Sequence, residues 1–258
     1  EFRALASEAR RQGMLLAGHA PRDVSLAEAA DSGMRSIEHM ETAMLEPGDG
    51  NEAERRARFE RLARAGTAIT ATMITDVAYR QTPDSVAYAV IADTLNRIDP
   101  RRRYLSDEML AAWKFGLDTK QLEEPNDWAE SHRRQLADLR LARQAGVQIL
   151  VGTDLGVSLV YPGFSVHEEL QYLVEKGGLA PLEALRGATV YAARTLGLAD
   201  SVGIIAQGMQ ADLVLLTADP LREIQNTTAI AAVVLNGRIL DRAALKQLLA
   251  QAETNANQ

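Results

Sequence analysis

The chain of 258 residues contains no cysteine. That absence removes disulfides, zinc–thiolate centres and cysteine nucleophiles together, so any metal must be held by His, Asp, Glu or a carboxylated Lys. It leaves the compartment open, because a cysteine-free chain is compatible with both cytoplasm and periplasm. No apolar stretch approaches the ~20 residues of a membrane span, and no membrane partner is expected. Basic clusters are scarce too. The net charge is −7 and Arg101-Arg102-Arg103 is the one dense basic run; it reads as a solvated helix start, not a nucleic-acid footprint. There is no Gly-x-Ser-x-Gly elbow, no Gly-rich phosphate loop ending in Lys-Ser/Thr, no Gly-x-Gly-x-x-Gly after a strand and no His-Glu-x-x-His. The opening residues, Glu1 to Arg10, form an amphipathic helix with neither a starting Met nor a signal peptide. They read as a chain already in progress.

What the chain does have is enough apolar content, 47%, to bury a sizeable core, with disorder expected only in the tail from Glu253 to Gln258. The first 75 residues follow a helix–strand rhythm. A helix over about 1–12 ends at Gly13, and strand 14–18 leads to His19. Ser25 caps a short helix to Ala30, with Glu28 placed as in a capping box. Gly33 stops that helix, and strand 34–38 leads to His39. Asn51 to Ala65 is a charged amphipathic helix with Phe59, Leu62 and Ala63 on one face, stopped by Gly66. A β-branched strand over 67–72 follows.

Residues of about 80–145 are helical in pattern, with turns near Pro83, Asp99-Pro100 and Pro125, and read as an excursion plus a crossover helix ending at Gly146. Strand 147–152 restores the register. Helices follow over about 165–176 and 181–194, the second opened by Pro181. After Gly197 come short strands over 202–205, 211–216 and 231–235, and Asn236-Gly237 turns into Arg238-Ile239-Leu240. A short helix over about 242–250 closes this small antiparallel module. The domains are therefore expected at 1–197 and 198–258.

Alternating strands and helices imply a parallel sheet with helical crossovers. The four good parallel strands fall short of the eight that a closed (β/α) barrel needs. Either the sheet is open, or half a barrel lies upstream.

The chemistry gathers at strand ends. His19, His39 and Asp154 (in Gly152-Thr153-Asp154) each close a strand that feeds a helical segment, which is how a parallel α/β protein builds a hydrolytic metal site. His19 and His39 lie one short βα unit apart and should occupy neighbouring strand ends. Imidazole and carboxylate suit zinc, or manganese, cobalt or nickel by availability. Asp154 could ligate such a metal and carry a proton to a leaving amine. Each has a blander reading: a strand-end His can simply bond a neighbouring loop, and Gly-Thr-Asp is a common turn. Arg22 could clamp a substrate carboxylate. His167, in Tyr161-Pro162-Gly163-Phe164-Ser165-Val166-His167, could face a substrate group or serve as a cap. His132, spaced by four from Trp128 and Leu136, reads as part of a packed helical face.

Taken together, Gly18-His19-Ala20-Pro21, Ser36-Ile37-Glu38-His39, Gly152-Thr153-Asp154, the stretch Tyr161 to Leu170, the stretch Gly203 to Leu216, Asp219-Pro220-Leu221, Asn226 and Val233 to Arg238 resemble the C-terminal part of an amidohydrolase-superfamily enzyme. The likeness is to the imidazolonepropionase-like and Xaa-Pro dipeptidase-like branch, and it covers nearly all of the chain except about 75–130. The resemblance implies the second half of a (β/α)₈ TIM-like barrel plus the C-terminal part of a small β-sandwich. It implies His19 and His39 as metal ligands of the fifth and sixth barrel strands, and Asp154 as the metal-binding general acid/base of the eighth. The His-x-His pair of the first strand and the carboxylated lysine of the fourth would lie upstream of residue 1. Deaminases of the superfamily usually carry a Glu shortly after the strand-five His; here Ala20-Pro21-Arg22-Asp23 follows, which argues against deamination.

The expected activity is metal-dependent hydrolysis of an amide or peptide C–N bond in a dipeptide or N-acyl amino acid, with one or two divalent ions, zinc foremost. The alternatives are cyclic-amide hydrolysis of the imidazolonepropionase kind and a truncated, non-catalytic fragment. The expected partner is a small-molecule substrate, with a homo-oligomer left open.

Overall fold

The computed structural model describes residues 1–44, 50–120 and 127–256. Along the chain, α1 (Phe2–Gln12), β1 (Leu16–Gly18), α2 (Leu26–Asp31), β2 (Met34–Glu38), α3 (Glu52–Ala65) and β3 (Ala68–Thr70) alternate. A helical stretch follows: α4 (Met73–Asp76), a π-helical turn Val77–Gln81, α5 (Asp84–Ala92), a 3₁₀ turn Pro100–Tyr104, α6 (Asp107–Lys120) and α7 (Trp128–Gln144). Then come β4 (Ile149–Leu150), α8 (Ser165–Glu175), α9 (Pro181–Gly187), α10 (Val190–Thr195), β5 (Leu213–Leu216), β6 (Ile230–Leu235), β7 (Arg238–Leu240) and α11 (Arg242–Ala256).

The local rules account for many of these boundaries. Gly13 and Gly66 close α1 and α3 in the left-handed conformation, returning their amides to the last helical carbonyls. Ser25 accepts the Glu28 amide at the start of α2. The reciprocal half of that capping box is missing, because Glu28 turns its carboxylate to Arg3 instead. The complete box sits on α3, between Asn51 and Glu54.

The chain divides into two compact units. The first comprises Glu1–Met73, Glu130–Gly152 and Leu170–Met209. It holds a parallel sheet in the order β1-β2-β3-β4, so consecutive strands are spatial neighbours. Ile37 and Ile69 on the sheet, and Leu26, Phe59, Leu62 and Leu139 on the helices, are fully buried among its core residues. One close approach organises its far side. A Cβ on Gly187 would lie 2.5 Å from the carbonyl oxygen of Ile149, and the Gly187 carbonyl accepts the Val151 amide.

The second unit comprises Ile74–Ala129, Thr153–Glu169 and Gln210–Gln258. Its antiparallel sheet runs β5-β6-β7, with Asn236-Gly237 as the turn between β6 and β7. A separate apolar cluster joins Val90, Leu105, Leu110, Trp113 and Tyr161.

Several expectations are corrected. The strand expected over 202–205 does not form; residues 202–204 are a bend and 205 is irregular. The helix expected over 181–194 is broken into α9 and α10, since the chain must bend where Gly187 meets Ile149. The closing helix runs on to Ala256, so Glu253 to Ala256 are helical, not a loose tail. Arg101-Arg102-Arg103 is a 3₁₀ turn whose first two guanidinium groups are bonded inside the unit: Arg101 to Asp99 and Glu168, Arg102 to the Ile91 carbonyl. His132 bonds the Tyr172 hydroxyl through Nε2. The turn expected at Pro125 lies outside the described residues. No helix among the described residues is long and apolar enough to cross a membrane.

Candidate active site

The two histidines are brought together by strand order. β1 and β2 pair in parallel, and His19 and His39 directly follow their C-terminal ends. The rings meet edge-on, with centroids 4.9 Å apart and planes inclined by 62°. Thr42 ties the two loops: its hydroxyl bonds the Glu38 carbonyl and receives the Ala20 amide. His19 is exposed and His39 half-buried.

His39 has a third residue behind it. Its Nδ1 lies 2.7 Å from Thr72 Oγ1, while that hydroxyl gives its proton to the Ala71 carbonyl at 2.9 Å. A hydroxyl has one proton to donate, so it accepts here, and His39 carries its proton on Nδ1. The Nε2 lone pair is thereby left free for a metal or a proton. Thr72 was not legible as a site residue, since a β-branched residue at the end of an apolar run reads simply as strand.

Backbone conformation marks the same strand ends. His39 (φ 68°), Thr72 (φ 47°) and Asp154 (φ 49°) follow β2, β3 and β4 in the left-handed region. Histidine and aspartate enter that region more readily than most residues, but a β-branched threonine there is an outlier. Such strain costs on the order of 1–3 kcal/mol and gathers at functional sites. Gly152, of Gly-Thr-Asp, is needed for packing: a Cβ there would come within 2.5 Å of Thr70 Cγ2.

Asp154 lies in the second unit, exposed. Arg22 is in the first unit, also exposed, and His167 is half-buried in the second. His167 repeats the His39 device. Nδ1 meets Thr227 Oγ1 at 3.0 Å, and that hydroxyl donates to the Ile224 carbonyl at 2.9 Å. Burial lowers the His167 pKa, partly offset by the charge of Glu168. Burial favours the neutral imidazole, with Nδ1–H directed at Thr227.

Among the described residues no group of three or more His, Asp or Glu side chains is drawn close enough to hold a metal ion. The donor chemistry of His19 and His39 fits a divalent cation, as two members of a ligand set and not a complete one.

A model of the amidohydrolase family matches residues 1–240. The ochratoxinase of Aspergillus niger is 26% identical over 243 residues, covering 93% of this chain and 40% of the relative. The imidazolonepropionase of Ralstonia nicotianae is 40% identical over 89 residues, 33% of this chain and 21% of the relative. Among solved structures, a Xaa-Pro dipeptidase with bound methionine superposes with a TM-score of 0.62 at 23% identity, covering 93% of this chain and 48% of that one. The chain thus spans about half, or less, of the length of the proteins it matches.

Proposed function

Because the chain belongs to the amidohydrolase family, we propose that it carries part of the site of a metal-dependent hydrolase cleaving an amide or peptide C–N bond in a small substrate, a dipeptide or an N-acyl amino acid. The observation that carries this reading is the His19–His39 pair at neighbouring strand ends, with Nδ1 of His39 held by Thr72 and its Nε2 left to face a ligand. In this proposal β1–β4 belong to one half of a (β/α)₈ barrel over residues 1–197. Residues 198–258 supply the C-terminal segment of a β-sandwich.

His19 and His39 would hold the ion together with Asp154 and ligands from outside this sequence. When bound, a divalent cation such as zinc supplies Lewis acidity for the scissile carbonyl and lowers the pKa of water enough for attack at neutral pH. The chain's own residues do the rest. Asp154, an exposed carboxylate held at a left-handed turn, takes the proton of the attacking water and passes it to the leaving nitrogen. Arg22 and His167 are assigned to substrate contacts, Arg22 through a bidentate clamp on a carboxylate. Cyclic-amide hydrolysis is the second reading, favoured by the 40% identity to imidazolonepropionase over 89 residues.

The test measures metal content and turnover on a panel of dipeptides, N-acyl amino acids and cyclic amides, using the full-length protein. His19→Ala is expected to lose metal, and Asp154→Asn to keep it while turnover falls roughly 10²–10⁴-fold. Full metal occupancy in His19→Ala sinks the ligand assignment, and wild-type turnover in Asp154→Asn sinks the proton shuttle. Turnover confined to cyclic amides selects the second reading. Metal-free protein without turnover on any member of the panel selects the non-catalytic reading.

A further inference from the structure

The Gly-Thr-Asp loop is held by a side chain from a distant part of the sequence. Thr75, on the short helix α4, donates its hydroxyl proton to the Thr153 carbonyl at 2.7 Å, 78 residues on. Among the described residues this is the one hydrogen bond that another element sends to residues 152–156. We propose that Thr75 is a positioning residue for Asp154, an inference that rests on the proton-shuttle reading of that carboxylate.

The peptide joining Thr153 to Asp154 is the point of control. A peptide unit is planar, so fixing the direction of the Thr153 carbonyl fixes the plane that sets ψ of Thr153 and φ of Asp154. Asp154 stands at φ 49°, in the left-handed region. Aspartate enters that region more readily than most residues, but negative φ remains its ordinary state. Turning the plane over carries Asp154 to negative φ, swings its carboxylate to a new direction and takes the carbonyl away from Thr75. The Thr75 bond therefore favours one direction of the carboxylate over the other. Among the described residues no side chain holds the exposed Asp154 carboxylate itself, so its direction is set through the backbone.

The donor is itself anchored. A helical threonine commonly returns its hydroxyl to the carbonyl four residues back; Thr75 spends it on Thr153 instead. The amide of the preceding residue, Ile74, donates to Glu169 at 2.7 Å, and Glu169 has no exposed surface. A backbone amide bonded to a carboxylate is a strong, charge-assisted contact. The far end of the loop is pinned as well, where Ser158, 2% exposed, donates to the Trp113 carbonyl at 2.9 Å. Asp154 lies between these two fixed points, with Thr75 bonded to the residue directly before it.

The experiment compares Thr75→Val, which keeps the shape and removes the donor, with Thr75→Ser, which keeps the donor. The intraresidue amide-to-Hα Overhauser effect of Asp154 is strong at positive φ and weak at negative φ, and it needs neither metal nor substrate. It is expected to weaken in Thr75→Val and to persist in Thr75→Ser. On the same substrate panel, kcat of Thr75→Val is expected to fall roughly 5–10-fold, as for the loss of one hydrogen bond. KM and metal content stay unchanged, and Thr75→Ser restores kcat. Thr75→Ala repeats the test if thermal melting shows that valine disturbs the packing. An unchanged Overhauser effect in the variants lacking the hydroxyl overturns the proposal. Full turnover in them beside a crippled Asp154→Asn overturns the role of Thr75 alone. Wild-type turnover in Asp154→Asn removes the proton shuttle itself, and this inference with it.

Discussion

The Thr72 hydroxyl receives the Nδ1 proton of His39 across 33 residues of sequence, 2.7 Å away, and because it spends its own proton on Ala71 it decides which imidazole nitrogen is free. A metal-ligating histidine is commonly oriented through its other nitrogen in this way. Thr72→Val keeps the shape and removes the acceptor. Turnover or metal affinity of the full-length protein is expected to fall about 10–100-fold, while Thr72→Ser restores it. Nitrogen-15 NMR of the histidines should show the Nε2–H form of His39 growing in Thr72→Val only. An unchanged tautomer there would leave Thr72 without its positioning role.

His167 provides a pH-dependent test. Burial depresses its pKa in the folded chain below the unfolded value of about 6.5. The unfolded state then binds more protons between the two values, so stability declines as pH falls from about 6.5 through the folded pKa. His167→Gln is expected to flatten that part of the profile in urea denaturation at stepped pH. An identical slope in the variant would show that His167 does not titrate differently on folding.

The Asp99–Arg101 pair acts at lower pH. Burial pushes the Asp99 carboxyl up, but the hydrogen bonds from the Arg101 side chain and backbone outweigh it, and the net shift is downward. The stabilisation is present above the unfolded pKa of about 3.9 and is lost as pH falls through the lower folded value. Asp99→Asn should flatten the acid limb below about pH 4. Arg101→Gln leaves Asp99 and Glu168 without their shared cation, and its acid limb is expected to begin at higher pH. Acid melting curves of the two variants that coincide with wild type would refute this assignment.

Two glycines should respond in opposite directions. Gly187→Ala drives a methyl into the Ile149 carbonyl and is expected to cost about 1–3 kcal/mol, the usual range for overpacking. Gly116, inside α6, has nothing within 4 Å of its Cβ position, so Gly116→Ala should stabilise by roughly 0.5–1 kcal/mol. Thermal melts of the pair, measured together, check both signs.

The residues that local chemistry governs were readable in order. The glycines after α1 and α3, the Ser25 cap and the Asn-Gly hairpin act over a few positions, and strand–helix alternation placed His19 and His39 at neighbouring ends of a parallel sheet. The family motifs on these strand ends were equally plain, because they are contiguous in sequence. The Glu28 capping box was misjudged for the opposite reason. Arg3, 25 residues away, offers that carboxylate a charged partner, and a distant charge outweighed a local backbone donor.

Sequence alone therefore determined the alternating α/β pattern, the parallel sheet and the identity of the strand-end side chains, since each follows from periodicity, caps and short motifs. Tertiary structure alone decided the Thr72 partner of His39, the partners of Arg101 and the break between α9 and α10 at Gly187. Each of those depends on atoms brought within bonding or contact distance from well-separated parts of the chain.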